Sequence, residues 1–111
     1  MTTPLEALAI VDLRIGTVLS ATPFVGARTP AIKLEVDFGA ELGVRRSSAQ
    51  LTRRYEPAEL IGRQVVAAVN LGTRRIAGFS SEVLVLGGIP EVGDVVLLAL
   101  DAPVPNGTRV A

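Results

Sequence analysis

Two stretches concentrate the side chains of this chain that could do chemistry. SSAQLTRRY, at 47–55, sets hydroxyls and an amide ahead of paired arginines and the only tyrosine. TRRIAGFSSE, at 73–82, sets two arginines, a phenylalanine, two serines and a glutamate ahead of the aliphatic run VLVL. Hydroxyls and amides both donate and accept hydrogen bonds. Guanidinium offers a planar fork of donors that suits carboxylate, phosphate and backbone carbonyl. These are the tools of binding. Catalysis lacks its usual carriers: the chain has no His and no Cys, which removes the commonest general base, the thiolate nucleophile and the soft zinc ligands. The acidic residues do not cluster at metal-ligand spacing, and no serine stands in a recognisable nucleophile motif. The expectation is a protein that is not an enzyme, with no catalytic residue, no metal and no cofactor.

The charge is balanced but unevenly spread. Lys plus Arg and Asp plus Glu both number 11. Between Val44 and Ser80, seven arginines stand against Glu56 and Glu59, a net of plus five, and the remainder is net minus five. A zero net charge argues against indiscriminate nucleic-acid binding, whereas the basic middle leaves a localised anion site open.

The candidate site residues are Ser48, Gln50, Arg53, Asn70, Arg74, Arg75, Phe79, Ser81 and Glu82. Each has a structural reading beside the functional one. Ser48 and Gln50 meet a ligand or satisfy backbone groups at a strand end. Arg53 belongs to a site or to a solvated corner, and Asn70 to a groove mouth or to a turn. Arg74 and Arg75 point to opposite sides of an extended chain, so at most one faces a groove, with the motif position slightly favouring Arg75. Gly78 permits close approach of backbone or ligand. Phe79 is core or exposed. Ser81 and Glu82 precede the buried VLVL, and Glu82 needs a partner, for which a preceding arginine is the natural choice.

The elements that position these residues are mostly strands. IKLEVDF, 32–38, alternates with Ile32, Leu34, Val36 and Phe38 on one face. Residues 13–19 alternate with Leu13, Ile15 and Leu19 inward, and Gly16 suggests a bulge or bend. The apolar runs 64–69, 83–86 and 95–100 read as buried strands. PLEAL suggests one helical turn, YEPAELIG a short helix that Gly62 ends, and PVPNG a turn. One short helix between the third and fourth of five strands is the OB-fold order. The expected fold is all-β: a five-stranded Greek-key barrel with terminal extensions, forming a single domain over residues 1–111. No run of eighteen apolar residues occurs, so no membrane insertion is expected. The opening MTTPLEALAIVDLRIG lacks a basic n-region, and the expected location is the cytoplasm.

Six segments in order, VDLRIGTV, PAIKLEVDFG, SSAQLTRRY, QVVAAVN, RRIAGFSSEVLVLGG and PVPNG, resemble the CsaA-like export-related chaperones of the tRNA-binding-domain family. The likeness covers nearly the whole chain and extends to the C-terminal domain of bacterial methionyl-tRNA synthetase. Ile76 and the Val83–Leu84 pair stand where the tRNA-binding branch usually carries methionine. The resemblance implies a non-catalytic homodimer joined through terminal segments and adjoining strands. It implies non-native or precursor polypeptides as ligands, and leaves the secretion ATPase and tRNA open as further partners. A chaperone-like binding protein is the first expectation and a tRNA-binding module the second. The four aromatic residues, Phe24, Phe38, Tyr55 and Phe79, make a thin stacking platform for nucleotides.

Overall fold

The structure is a computed structural model that describes residues 1–111. Helix α1 (Pro4–Ile10) is followed by strands β1 (Leu13–Pro23) and β2 (Ile32–Asp37), a turn of helix α2 (Gly39–Leu42), and β3 (Val44–Ala49). Helix α3 (Pro57–Leu60) leads to β4 (Gln64–Ala68), hairpin β5 (Arg74–Ile76) and β6 (Phe79–Ser81), and short β7 (Leu84–Val85). A second hairpin, β8 (Gly87–Glu91) and β9 (Asp94–Leu97), completes the elements. Five antiparallel strands in the order β3-β2-β1-β4-β7 curl into a nearly closed barrel. This is the expected all-β, OB-like fold, with α3 between the third and fourth barrel strands.

The barrel closes where β3 meets the segment leading into β7. The Glu82 N–H donates to the Arg46 carbonyl at 2.8 Å, and the Glu82 carboxylate accepts the Arg46 N–H at 3.0 Å. Ser47, 1 % exposed, donates its hydroxyl to the Val83 carbonyl at 3.0 Å. The Ser81 hydroxyl accepts the Ser48 N–H at 3.0 Å. Side chains here replace ladder bonds that two irregular strand ends cannot make for themselves, so no buried side-chain polar atom is left without a partner.

The core is aliphatic, with Phe38 its largest side chain. The alternation in β2 holds, with Ile32, Leu34 and Val36 all buried. In β1 it fails between Ile15 and Val18: Gly16 packs against Val36 and Phe38, and Val18 joins the core cluster, so the core face takes the even positions. Leu19, expected inward, follows Val18 to the opposite face and is 49 % exposed, and the pairing with β2 then shifts register between Val18 and Ser20. The extra residue brings Ala21 rather than Ser20 to the core. The irregularity therefore sits at Leu19 rather than at Gly16. Gly16 instead allows a close approach: a Cβ there would lie 2.6 Å from Val36 Cγ1 and 2.8 Å from Phe38 Cδ1.

Three further expectations change. VLVL is not all core: Val83 is buried, Leu84 is 52 % exposed, and Val85 and Leu86 are intermediate. The run 95–100 forms strand only to Leu97, and Leu98 and Leu100 are exposed. PLEAL extends to a seven-residue helix because Thr3 and Glu6 form a capping box, the Thr3 hydroxyl accepting the Glu6 N–H at 3.2 Å and the Glu6 carboxylate accepting the Thr3 N–H at 3.3 Å. No residue of α1 is buried, and Leu5 and Leu8 lie a turn apart in solvent.

Side chains from the segment after β3 fasten the β8–β9 hairpin. Arg53 pairs with Glu91, Arg54 with Asp94 (Nη2 to Oδ2, 2.8 Å), and the Tyr55 hydroxyl accepts the Leu97 N–H at 3.1 Å. The hydrogen bonds from Arg54 hold the Asp94 carboxyl below its ordinary value of 3.8. A carboxyl depressed on folding stabilises the fold above its unfolded pKa, and that contribution disappears as pH falls through the folded value. Thermal melts of the wild-type protein should therefore lose stability as pH drops below about 4. Asp94→Asn should melt lower at pH 7 and show a shallower acid loss. Equal acid slopes in the two proteins would remove Asp94 as a source.

Candidate binding cleft

The outer side of the barrel is set by alternation. Ser47 and Ala49 point into the core, so Arg46 and Ser48 point out, across from Glu35 and Lys33 of β2. Hairpin β5–β6 folds over this outer face. Its turn, Ala77–Gly78, has φ of 46° and 80°, the paired positive values of a two-residue turn that follows strand twist. A Cβ on Gly78 would meet nothing within 4 Å, so this glycine serves the turn rather than a close approach.

Phe79 anchors the hairpin. Its ring meets Phe24 edge-on at 5.4 Å between centroids. Lys33 Nζ lies 4.7 Å from the Phe24 ring centre and 5.2 Å from that of Phe79, and the Arg46 guanidinium lies 5.3 Å from Phe79. Phe79 is thus half-buried among cations on the outside of the barrel, neither core nor a free platform.

Between this hairpin, the loop 27–29 and the end of β3 opens a cleft of about 400 Å³. Its walls include Arg28, Ser48, Gln50, Leu51, Arg74 and Ile76, with Leu84, Ile89 and Val95 from beyond β6. A smaller compartment of about 230 Å³ adjoins it and shares Ser48, Arg74, Ile76 and Leu84. No carboxylate and no aromatic ring lines either compartment. Arg28 and Arg74 take part in no ion pair. The cleft is apolar, with hydroxyl and amide groups along one wall and two unpartnered guanidiniums.

Of the nine residues singled out in the sequence, Ser48, Gln50, Arg74 and Ser81 line this cleft, Ser81 in the smaller compartment. The other five lie elsewhere. Arg75 is exposed and donates to the Ser80 hydroxyl at 3.1 Å, so Arg74, not the favoured Arg75, faces the cleft. Glu82 pairs with Arg46 at 3.7 Å rather than with an arginine of its own hairpin. Arg53 fastens the β8–β9 hairpin. Asn70 braces the start of the barrel: its amide donates to the Ile10 carbonyl and accepts the Asp12 N–H, both at 2.8 Å. Phe79 holds the hairpin down. Arg28 and Leu84 were missed. Arg28 carries a local signal, a lone charge in the turn-rich GARTP between two strands. Leu84 carries none, because an aliphatic residue in VLVL looks the same whether it faces the core or the cleft.

Fold and cleft together define an OB-type binding domain, in which the loop after the first strand and the arm after the fourth flank the ligand-binding face. Residues 13–109 match the family model described as a putative tRNA binding domain, and the chain belongs to that family. Within it the chain is CsaA-like. It is 57 % identical to the crystal structure of chaperone CsaA from Bacillus anthracis str. Ames, covering all of both chains at a TM-score of 0.92. It is 39 % identical to the CsaA chaperone protein from Picrophilus torridus, again over both whole chains, at 0.89. Methionine–tRNA ligase of Methanothrix thermoacetophila is 38 % identical over 107 residues, which are 96 % of this chain and 15 % of that protein. The chain thus spans about a seventh of the length of the curated relatives it matches.

Proposed function

We propose that the protein is a non-catalytic, homodimeric chaperone-like binder of non-native or secretory polypeptides, and that the β3–hairpin cleft takes an extended apolar segment. The apolar cleft without a ring or a carboxylate carries this reading. Aliphatic walls suit aliphatic side chains, and Ser48 and Gln50 can bond a passing backbone. The exposed face of α1 bearing Leu5 and Leu8 supports a second copy of the chain as its cover. Two clefts per dimer would add avidity for a client that spans both. A cytoplasmic location and a complex with the secretion ATPase complete the export reading, and cell fractionation and co-purification check them.

The second reading, a tRNA-binding module, is favoured by the family description and by the Lys33–Arg46–Phe79 cluster. Against it, Phe24 is 7 % exposed, and both rings already hold cations, so little aromatic face is left for a base. Competition separates the two. A labelled unfolded-client peptide is bound and challenged with total tRNA across a salt series, with sedimentation equilibrium on the same samples. The polypeptide reading expects a dimer that keeps the peptide as salt rises. Tight tRNA binding that weakens steeply with salt, and no peptide binding, would replace it with the second reading. A monomer that still binds peptide would remove only the dimer.

A further inference from the structure

We propose that the cleft prefers, among apolar segments, those carrying an internal aspartate or glutamate, and that Arg74 reads the carboxylate. This rests on the polypeptide reading of the same cleft and names the substrate class within it. Arg74 is shared by both compartments, so it stands at their junction. Arg14, Arg46, Arg53 and Arg54 each have a carboxylate partner in the chain, and Arg74 has none. No acidic residue lines the cleft to supply one. A ligand that covers Arg74 strips water from its guanidinium, which is unfavourable unless the ligand brings an acceptor. A carboxylate brings two, in the geometry the fork matches.

Arg28 adds a second positive charge to the larger compartment, so a lysine or arginine in the segment would be repelled. The two compartments adjoin across Ser48, Arg74, Ile76 and Leu84, so apolar residues can lie on both sides of the guanidinium. That places the carboxylate inside the segment rather than at its C-terminus. Phosphates of an RNA would also satisfy Arg74, but an RNA charged at every nucleotide and bearing polar sugars is a poor match for aliphatic walls without a stacking ring.

Three fluorescent peptides of one apolar sequence, amidated at the C-terminus and differing only in a central Asp, Asn or Lys, are titrated with the full chain. At low salt the Asp peptide should bind about fivefold tighter than the Asn peptide, the upper range for a solvent-exposed pair, and the Lys peptide should bind weakest. The Asp advantage should shrink as salt rises. Arg74→Gln should bind the Asp and Asn peptides equally, Arg74→Glu should favour the Lys peptide, and Arg75→Gln should keep the wild-type order. Equal binding of all three peptides to the wild-type protein overturns the preference and leaves the polypeptide reading standing. A preference that survives Arg74→Gln overturns the role of Arg74. Binding of no peptide, whether or not tRNA binds in their place, overturns both the preference and the polypeptide reading.

Discussion

Phe38→Ala should cost the barrel about 3–5 kcal/mol, the largest stability loss expected of any single truncation here. Phe38 is 1 % exposed and the bulkiest of the fully buried side chains. It lies at the end of β2 and packs over Gly16 of β1, which has no side chain because the ring and Val36 occupy the space. Alanine would leave a void that neighbours fastened by five-strand pairing cannot collapse to fill. Domains of this size are stable by about 5–15 kcal/mol, so the loss is a large share of the total. Urea unfolding should show a lower midpoint at an unchanged slope.

A double-mutant cycle tests the contact itself. Gly16→Ala alone should cost about 1–3 kcal/mol through overpacking. In the Phe38→Ala background the two ring contacts of the new methyl group are gone and the Val36 contact remains, so its cost should fall by at least about 0.5 kcal/mol. Strict additivity would mean that the ring does not set the need for glycine.

Leu84→Asp should lower peptide affinity about thirtyfold or more, the effect of losing one hot-spot side chain. Leu84 lines both compartments and is 52 % exposed, so the substitution spares the core. It removes an aliphatic wall and puts a carboxylate in the cleft that holds the unpartnered Arg28 and Arg74, so a bound apolar segment loses its contact and meets a charge in its place. Circular dichroism should show an unchanged melt, and anisotropy with an apolar peptide should show the loss. An affinity within about threefold of wild type would place the peptide site elsewhere. The same variant bears on tRNA, since phosphate contacts to Arg28 and Arg74 depend little on an aliphatic neighbour, and a tRNA site would tolerate the change except for the added negative charge.

Much of the fold was legible because it depends on short-range pattern. The period-two alternation of IKLEVDF, the Pro57 start and Gly62 stop of α3 and the order of the strands need only neighbours along the chain. The sequence also confined the candidate chemistry to binding and singled out Ser48, Gln50, Arg74 and Ser81, which the cleft brings together. Its failures share a cause. Leu19 turned outward because Gly16 and Val18, not Leu13 and Ile15, face the barrel core, and which face of β1 the core covers depends on the partner strands. Glu82 chose Arg46 over its own hairpin because barrel closure brings β3 beside residues 81–83. Arg74 rather than Arg75 faces the cleft because the hairpin folds over β3 with one particular side down, and alternation states only that the two differ. Leu84 faces the cleft because β7 is two residues long and pairs only with β4, at Ala67 and Ala68. Local pattern determined which elements form and which residue types could bind a ligand. Only the closing of the barrel and the folding-over of the hairpin decided which of those side chains meet, because those contacts join residues more than thirty positions apart.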